Sequence, residues 1–516
     1  MRGVLGAALS GALLLAAAPP LALTPLVLVA LVPLLDALRA APNAATAAGL
    51  GWIAGALFHA GLLAWLPATI ARSQHLAWPA AMALFALFVA VHALQFALAA
   101  ALTRLGRSPA ARGAAAVAGW VLLERTFPKV FPWSLGAALG PHPLLRQGAD
   151  LLGVHGLAAE VVAVNALLAA ALAAWSARRV RAGGALAGAG LLLGAAAAYG
   201  IARASPGTAS AAAPRIAVVQ GGETDAGDAD RRWADARAWA RYQRLSAPLA
   251  GRADLVVWPE SVLRVYLRDA PFWRGRVETL ARDLRAVVVL GALDRGGDGG
   301  ERVAAYVFAP ALAGVAHKVG LVPFGEYVPG AAWLPVERVW RPIAARRAGP
   351  PPPVIDVAGV RLAPRICVEA IRPGAFNAAV RRGAGLLVNL SDDGWFASAW
   401  AAAQHLEMTR LRAVETRRWL VRSSQSGVSA VVDPRGAIVA ALPHGRRGSL
   451  LRAVVPSREV TPYARWGDVP VLAASTALLV AAAWSALRAD GAAPSRGVAS
   501  GPCRWHAKWP VDPLTR

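Results

Sequence analysis

Three side chains of the kinds that attack carbonyls, accept protons and stabilise anions stand at the ends of short apolar runs. Glu260 closes Asp254-Leu255-Val256-Val257-Trp258-Pro259-Glu260. Lys318 follows His317 and opens the stretch that ends in Pro323-Phe324-Gly325-Glu326, and Cys367 lies in Arg365-Ile366-Cys367-Val368-Glu369. α/β enzymes assemble their sites from strand ends that are distant in sequence. A thiol is only slightly ionised at neutral pH, so a carboxylate to take its proton and an ammonium to favour the thiolate would make it a nucleophile. Each residue alone also has an ordinary reading. A buried cysteine is commonly a small hydrophobe, and single Glu and Lys residues are mostly surface charges; composition does not link the three. His317 and His405 lack companions at ligand spacing, so no metal is expected, and the absence of a phosphate loop or dinucleotide fingerprint predicts no cofactor.

The elements that must position these residues lie between Pro214 and about Arg465. The runs Ile216-Ala217-Val218-Val219, Leu255-Val256-Val257, Val287-Val288-Val289-Leu290 and Leu386-Leu387-Val388 are continuous and apolar, as strands covered on both faces are. Segments 272–285 and 398–418 read as helices between them. The expectation is a layered α/β domain. It is embedded in a chain of 516 residues that is 56% hydrophobic and only 16% charged. Such a composition excludes a disordered chain and an ordinary soluble enzyme, and places much of the protein in lipid. Apolar runs at 4–18, 21–38, 47–66, 77–102, 113–124, 151–175, 183–202 and 469–487 predict about eight transmembrane helices, the run at 113–124 being short and weak. The loops at 39–46, 103–112 and 176–182 are the Arg-rich ones, which puts both termini on the cytoplasmic side and the 214–465 domain on the other. Trp65, Trp78, Trp175 and Trp466 stand near span ends, as interfacial anchors do.

The expected domains are therefore a seven-span region at 1–203, the α/β domain at 214–465, a last span at 469–487 and a disordered cytoplasmic tail at 488–516. The net charge of +24 is scattered and accompanied by no recognition motif, so anionic lipid headgroups explain it and nucleic acid is excluded as a partner. Two cysteines, Cys367 and Cys503, lie in different regions and form no disulfide framework. Glu160, inside the sixth run, is either a functional carboxylate or one protonated or bonded to a neighbouring helix.

The strings around the three reactive residues resemble the nitrilase superfamily of carbon-nitrogen hydrolases, whose members carry a Glu-Lys-Cys triad on an αββα sandwich in this chain order. More narrowly, Val257-Trp258-Pro259-Glu260-Ser261, Leu321 to Pro329, Ile366-Cys367-Val368-Glu369, Gln404-His405-Leu406-Glu407-Met408 and Thr461-Pro462-Tyr463-Ala464-Arg465 are similar to apolipoprotein N-acyltransferases. The resemblance implies a multi-pass protein of the bacterial inner membrane with its nitrilase-like domain in the periplasm. It implies transfer of an acyl chain from a membrane phospholipid to the N-terminal amine of a diacylglyceryl-modified apolipoprotein. Glu260 would be the general base, Cys367 the nucleophile and Lys318 the oxyanion stabiliser, with Glu326 and Glu369 in support and Trp233 and Trp395 as substrate contacts. Departures from the family pattern are Val368, where a Tyr usually follows the nucleophile, Gly222 in place of Asn, and Ala137-Ala138-Leu139 after Phe131-Pro132-Trp133-Ser134-Leu135-Gly136. A membrane-tethered amidase and a binding-only scaffold or transporter remain the rival readings; a lipid-facing loop at Ala331-Ala332-Trp333-Leu334-Pro335 would favour transfer.

Overall fold

The computed structural model describes residues 1–176, 178–203, 213–222, 231–330 and 345–491. The expected loop at 331–335 and nearly all of the expected tail lie outside these residues, as does Cys503. The N-terminal part holds α1 (Arg2–Ala17), α2 (Val32–Arg39), α3 (Ala44–Leu62), α4 (Leu66–Gln74), α5 (Trp78–Leu102), α6 (Pro109–Thr126), α7 (Ala149–Ala174) and α8 (Arg179–Arg203). Five helices, counting the last one of the chain, are long and apolar enough to cross a membrane. The expected count of eight is not reached on that measure among the described residues. The run at 21–38 is a 3-10 segment, Thr24–Leu28, followed by the 8-residue α2. Pro25 and Pro33 sit in the first turns of these pieces, where a missing N–H is harmless but a helix cannot run through from the preceding residues. Eight residues rise only about 12 Å, against a hydrocarbon core of about 30 Å. The weak run at 113–124 does form a helix, α6, whose Ser108 cap accepts the Ala111 N–H.

The remaining elements are β1 (Arg215–Gln220), α9 (Arg231–Ser246), β2 (Leu255–Val257), β3 (Leu263–Tyr266), α10 (Pro271–Leu284), β4 (Val287–Arg295), β5 (Glu301–Phe308), β6 (Leu312–His317), β7 (Ile355–Val357), β8 (Val360–Ile366), α11 (Asn377–Arg381), β9 (Leu386–Ser391), α12 (Ala399–Thr416), β10 (Trp419–Ser424), β11 (Ser429–Val432), β12 (Ile438–Leu442), β13 (Gly448–Ala453), α13 (Pro462–Trp466) and α14 (Val469–Gly491). They form two sheets. The first runs β13-β1-β2-β4-β5-β6 with β3 beside β4, and the second runs β12-β11-β10-β9-β8-β7. Alternation along β1 shows the layering, since successive side chains face opposite sides of a strand. Ile216 and Val218 enter the core between the sheets with Ile366, Val388 and Val421. Ala217 and Val219 face the helices, in the cluster of Trp239, Val277 and Leu280. On the far side Leu387, Leu420 and Val432 meet Phe376, Leu406 and Ala413. The result is an αββα sandwich, the layered α/β domain that the four continuous runs predicted and the arrangement that the resemblance implied.

The helix α12 joins the sandwich to the membrane helices. Its residues Met408, Leu411 and Val414 belong to the same apolar cluster as Phe58, Leu62, Trp120 and Leu157. Polar bonds lock the contact: Gln404 Nε2 donates to the Leu62 carbonyl at 2.8 Å, and Arg417, just past α12, donates to Asp150 at 2.8 Å and to Gln147 at 2.6 Å. Trp65 belongs to this junction. Expected as a lipid anchor, it instead donates its indole N–H to Gln404 at 3.1 Å and packs edge-on against Phe396; Trp78, Trp175 and Trp466 are exposed. Gly153 lets α7 kink there, with φ +68 and ψ −172. An added Cβ would lie 2.2 Å from the Tyr463 ring, so only glycine admits α13 this closely.

Candidate active site

Strands of both sheets end at one buried place. Glu260 follows β2 of the first sheet, Lys318 follows β6 of the same sheet, and Cys367 follows β8 of the second. Lys318 Nζ donates to Glu260 Oε1 at 3.0 Å and to Glu326 Oε1 at 2.8 Å. All three are at most 7% exposed, and Cys367 is 5% exposed. The second oxygen of Glu260 accepts the Asp392 N–H at 3.0 Å, and that of Glu326 accepts the Val322 N–H at 2.8 Å. Each carboxylate is thus held at both oxygens, which fixes its orientation toward the ammonium.

Glu369 fills a different role from Glu326. Its Oε1 accepts the N–H groups of Val319 and Gly320 at 2.8 and 2.9 Å, and its Oε2 accepts the Ile366 N–H at 2.8 Å. It ties the chain just after the lysine to the chain just before the cysteine, across the two sheets. Gly291 makes room for Glu260, because a Cβ there would lie 2.5 Å from the Glu260 Cα. Ser261, Phe324 and Cys367 all have positive φ, at 52, 64 and 52 degrees. Non-glycine residues in this region cost about 1–3 kcal/mol each and gather at functional sites.

The electrostatics follow from burial and pairing. Burial works against the Lys318 charge, but the Glu260 and Glu326 carboxylates outweigh it and hold the ammonium well above its ordinary range. Burial pushes Glu260 up; Lys318 opposes this and Glu326 reinforces it, leaving the carboxyl above its usual range. Burial, with the negative charge of Glu260 behind it, also raises the Cys367 thiol well above its ordinary value despite Lys318. The resting Cys367 is therefore a neutral thiol, and any attack by it requires a base to take its proton as the new bond forms. Asp392 is pushed up to about 7, by burial first and by Glu260 next.

The chain matches the model of the apolipoprotein N-acyltransferase N-terminal domain over residues 10–167 and that of the carbon-nitrogen hydrolases over 215–465. It is 34% identical over 495 residues to the apolipoprotein N-acyltransferase of Geobacter metallireducens, covering 91% of this chain and 92% of the relative. With the enzyme of that name from Azotobacter vinelandii it shares 33% over 522 residues, covering 96% and 97%. The chain belongs to the apolipoprotein N-acyltransferase family. Among solved structures, an amidase from Nesterenkonia sp. AN1 is similar at 18% identity and a TM-score of 0.37, covering 51% of this chain and 98% of the amidase.

Family membership leaves the individual residues to the geometry. The structure brings Glu260, Lys318 and Glu326 into one hydrogen-bonded group beside Cys367 and Glu369. It does not bring Trp233 or Trp395 into that group. Trp233 lies on α9, 62% exposed, and Trp395 is 36% exposed, its backbone carbonyl accepting from Arg72 Nη2 of α4 at 3.1 Å. Glu160 on α7 has one oxygen with no partner among the described residues and takes no part in the group. Sequence reasoning missed Asp392, whose amide holds Glu260, and Gln425, whose Nε2 donates to the Glu260 carbonyl at 2.7 Å. It also missed Asn389, Asp393 and Arg422, all fully buried. The signal was present: a polar residue among the buried positions of an apolar strand, such as Asn389 in β9 or Arg422 in β10, must have a built partner.

Proposed function

We propose that the protein transfers an acyl chain from a membrane phospholipid to the N-terminal amine of a diacylglyceryl-cysteine lipoprotein, through a thioester on Cys367. The observation that carries this reading is the buried Glu260–Lys318–Glu326 group at 3.0 and 2.8 Å, set beside a strained cysteine in a domain fastened to membrane helices. Cys367 Sγ attacks the ester carbonyl while Glu260 takes the thiol proton. Lys318 faces the tetrahedral oxyanion, where a preorganised positive charge in a dry site is worth most. Collapse breaks the ester C–O bond, Glu260 returns the proton to the leaving alkoxide, and lysophospholipid departs. In the second half the lipoprotein amine attacks the thioester, Glu260 takes its proton, and the thiolate leaves and recovers that proton. The products are an amide and the free thiol.

The lipid source of the donor is supported by Val368. Adjacent to the nucleophile, it packs against both the apolar cluster of the membrane helices and the core between the sheets, so an acyl chain can reach Cys367 without crossing water. The domains follow: 1–203 and the last helix in the inner membrane, 214–465 in the periplasm. Single cysteines placed in the 104–112 loop and on the surface of 214–465 test the orientation by labelling with an impermeant thiol reagent in cells with a permeabilised outer membrane. Only the second should label; the reverse pattern overturns the assignment. The reaction is tested by incubation with phospholipid and a diacylglyceryl peptide, together and separately. Amide product that requires both substrates supports transfer, whereas fatty acid released continuously without the peptide supports a hydrolase.

A further inference from the structure

A wholly buried polar group lies directly beneath the nucleophile and the base, in neither of the roles assigned above. Asn389 on β9 stands in register with Arg365 of β8 on one side and with Arg422 of β10 on the other. Its Oδ1 accepts from Arg422 Nη1. A guanidinium only donates, so this contact fixes the amide orientation and turns Nδ2 toward β8. There Nδ2 donates to the carbonyls of Arg365 at 3.2 Å and Cys367 at 3.4 Å, and the second of these is the peptide of the residue with φ +52. The other branch of Arg422 reaches Asp393, through Nη2 to Oδ1 at 2.8 Å and Oδ2 at 2.6 Å. Ser391 Oγ, His405 Nδ1 and Ser424 Oγ complete the Asp393 shell at 2.8, 2.9 and 3.2 Å. The residue before Asp393 is Asp392, whose N–H holds Glu260.

We propose that Arg422 is a positioning residue that ties the strained Cys367 backbone, through Asn389, to the loop that orients Glu260, through Asp393. The guanidinium fork meets both neighbours at once, so thiol and base keep one spacing while the site stays buried. A point charge cannot do this, because a lysine offers no planar pair of donors. The arrangement explains why a charged pair sits at zero exposure in a sheet core, where an isosteric apolar pair would serve stability as well. The proposal rests on Cys367 being the nucleophile of the acyl transfer and Glu260 its base.

The test uses full-length protein in lipid nanodiscs and reads alkylation of the Cys367 peptide by iodoacetamide at pH 7 and pH 10. At pH 7 the reaction needs a positioned base; at pH 10 a growing share proceeds through free thiolate. Asn389→Ala leaves the Arg422–Asp393 pair intact, and Arg422→Lys keeps the charge opposite Asp393 without the fork. Each should lower the pH 7 rate about tenfold or more, a fraction of the roughly 10²–10⁴ that a placed base contributes, and leave the pH 10 rate within about threefold of the parent. The double variant should be no slower than Arg422→Lys, since both act through one link. Variants that melt like the parent and keep its ratio of neutral to alkaline rates would overturn the proposal. If Asn389→Ala fails to fold, Arg422→Lys decides alone. A parent that takes no acyl group from phospholipid refutes the acyltransferase reading, yet the alkylation ratio still judges the positioning role.

Discussion

The two sheets of the sandwich are built alike and have different neighbours. The outer face of the first sheet is covered by α10, a 14-residue helix with four buried residues, Val277, Leu280, Ala281 and Leu284, at helical spacing. The outer face of the second is covered by α12, in which 14 of 18 residues are buried. The difference is what each helix meets on its far side. α10 shows solvent a polar face, with Phe272 66% exposed at its start, whereas α12 meets membrane helices and is enclosed on every side. Cys367 therefore belongs to the half fastened to the membrane helices, and Glu260 and Lys318 to the half held through the sheet-to-sheet core, the Glu369 staple and the bonds of Asp392 and Gln425 to Glu260. In the proposed reaction an acyl donor arriving from lipid reaches the anchored half first, which suits the residue proposed to form the first bond.

Loss of the nucleophile should be the largest effect across this divide. Cys367→Ser should fold and insert normally and lose on the order of 10⁴-fold or more in turnover, as removal of a nucleophile does elsewhere, because a hydroxyl is far less acidic than a thiol. Turnover near the parental rate would move the nucleophile elsewhere.

On the other sheet, Lys318→Ala should slow acyl-enzyme formation by about 10²–10³, the usual loss for one oxyanion stabiliser. The same change should move the acid limb of the pH–rate profile. As the proposed base, Glu260 works only when ionised, so activity should be present above its raised pKa and lost as pH falls through it. Lys318 lowers that pKa, so its removal should shift the limb to higher pH; an unmoved limb would separate Glu260 from the reaction.

The anchoring itself can be broken without touching the site. Arg417→Ala removes a buried partner of Asp150 that lies 2.7 Å away and should cost about 3 kcal/mol, the low end for a broken buried pair, since Arg203 still reaches Asp150 at 3.2 Å. Arg276, whose guanidinium lies over the rings of Trp239 and Phe272 on the free side, should lose no more than about 0.5–1 kcal/mol on change to Ala. Thermal melts of the two variants in one detergent check the contrast, and equal losses would remove it.

Much of this contrast was legible in the residues. The strands β1, β2, β4 and β9 announced themselves as apolar runs, and α10 and α12 fell within a residue or two of 272–285 and 398–418. The reactive trio came from chemistry at strand ends and from the resemblance, since no local pattern joins positions 260, 318 and 367. What stayed hidden depends on register between distant strands. The pairing of Arg365, Asn389 and Arg422 has no trace in any single segment, and the Asp392 bond is made by a backbone amide, which every residue but proline owns. The second apolar run misled for the opposite reason, because its hydropathy is that of a span while Pro25 and Pro33 divide the backbone.

The most direct measurement is an intact-protein mass spectrum after incubation with a diacyl phospholipid and no amine acceptor. The proposed route predicts one acyl group per chain, identified as a thioester by its lability to hydroxylamine at neutral pH and mapped to Cys367 by peptide digestion, with one equivalent of lysophospholipid and little fatty acid. A diacylglyceryl peptide with a free N-terminus should then discharge it. An unmodified Cys367 under conditions that support amide product would contradict a thioester route through this site.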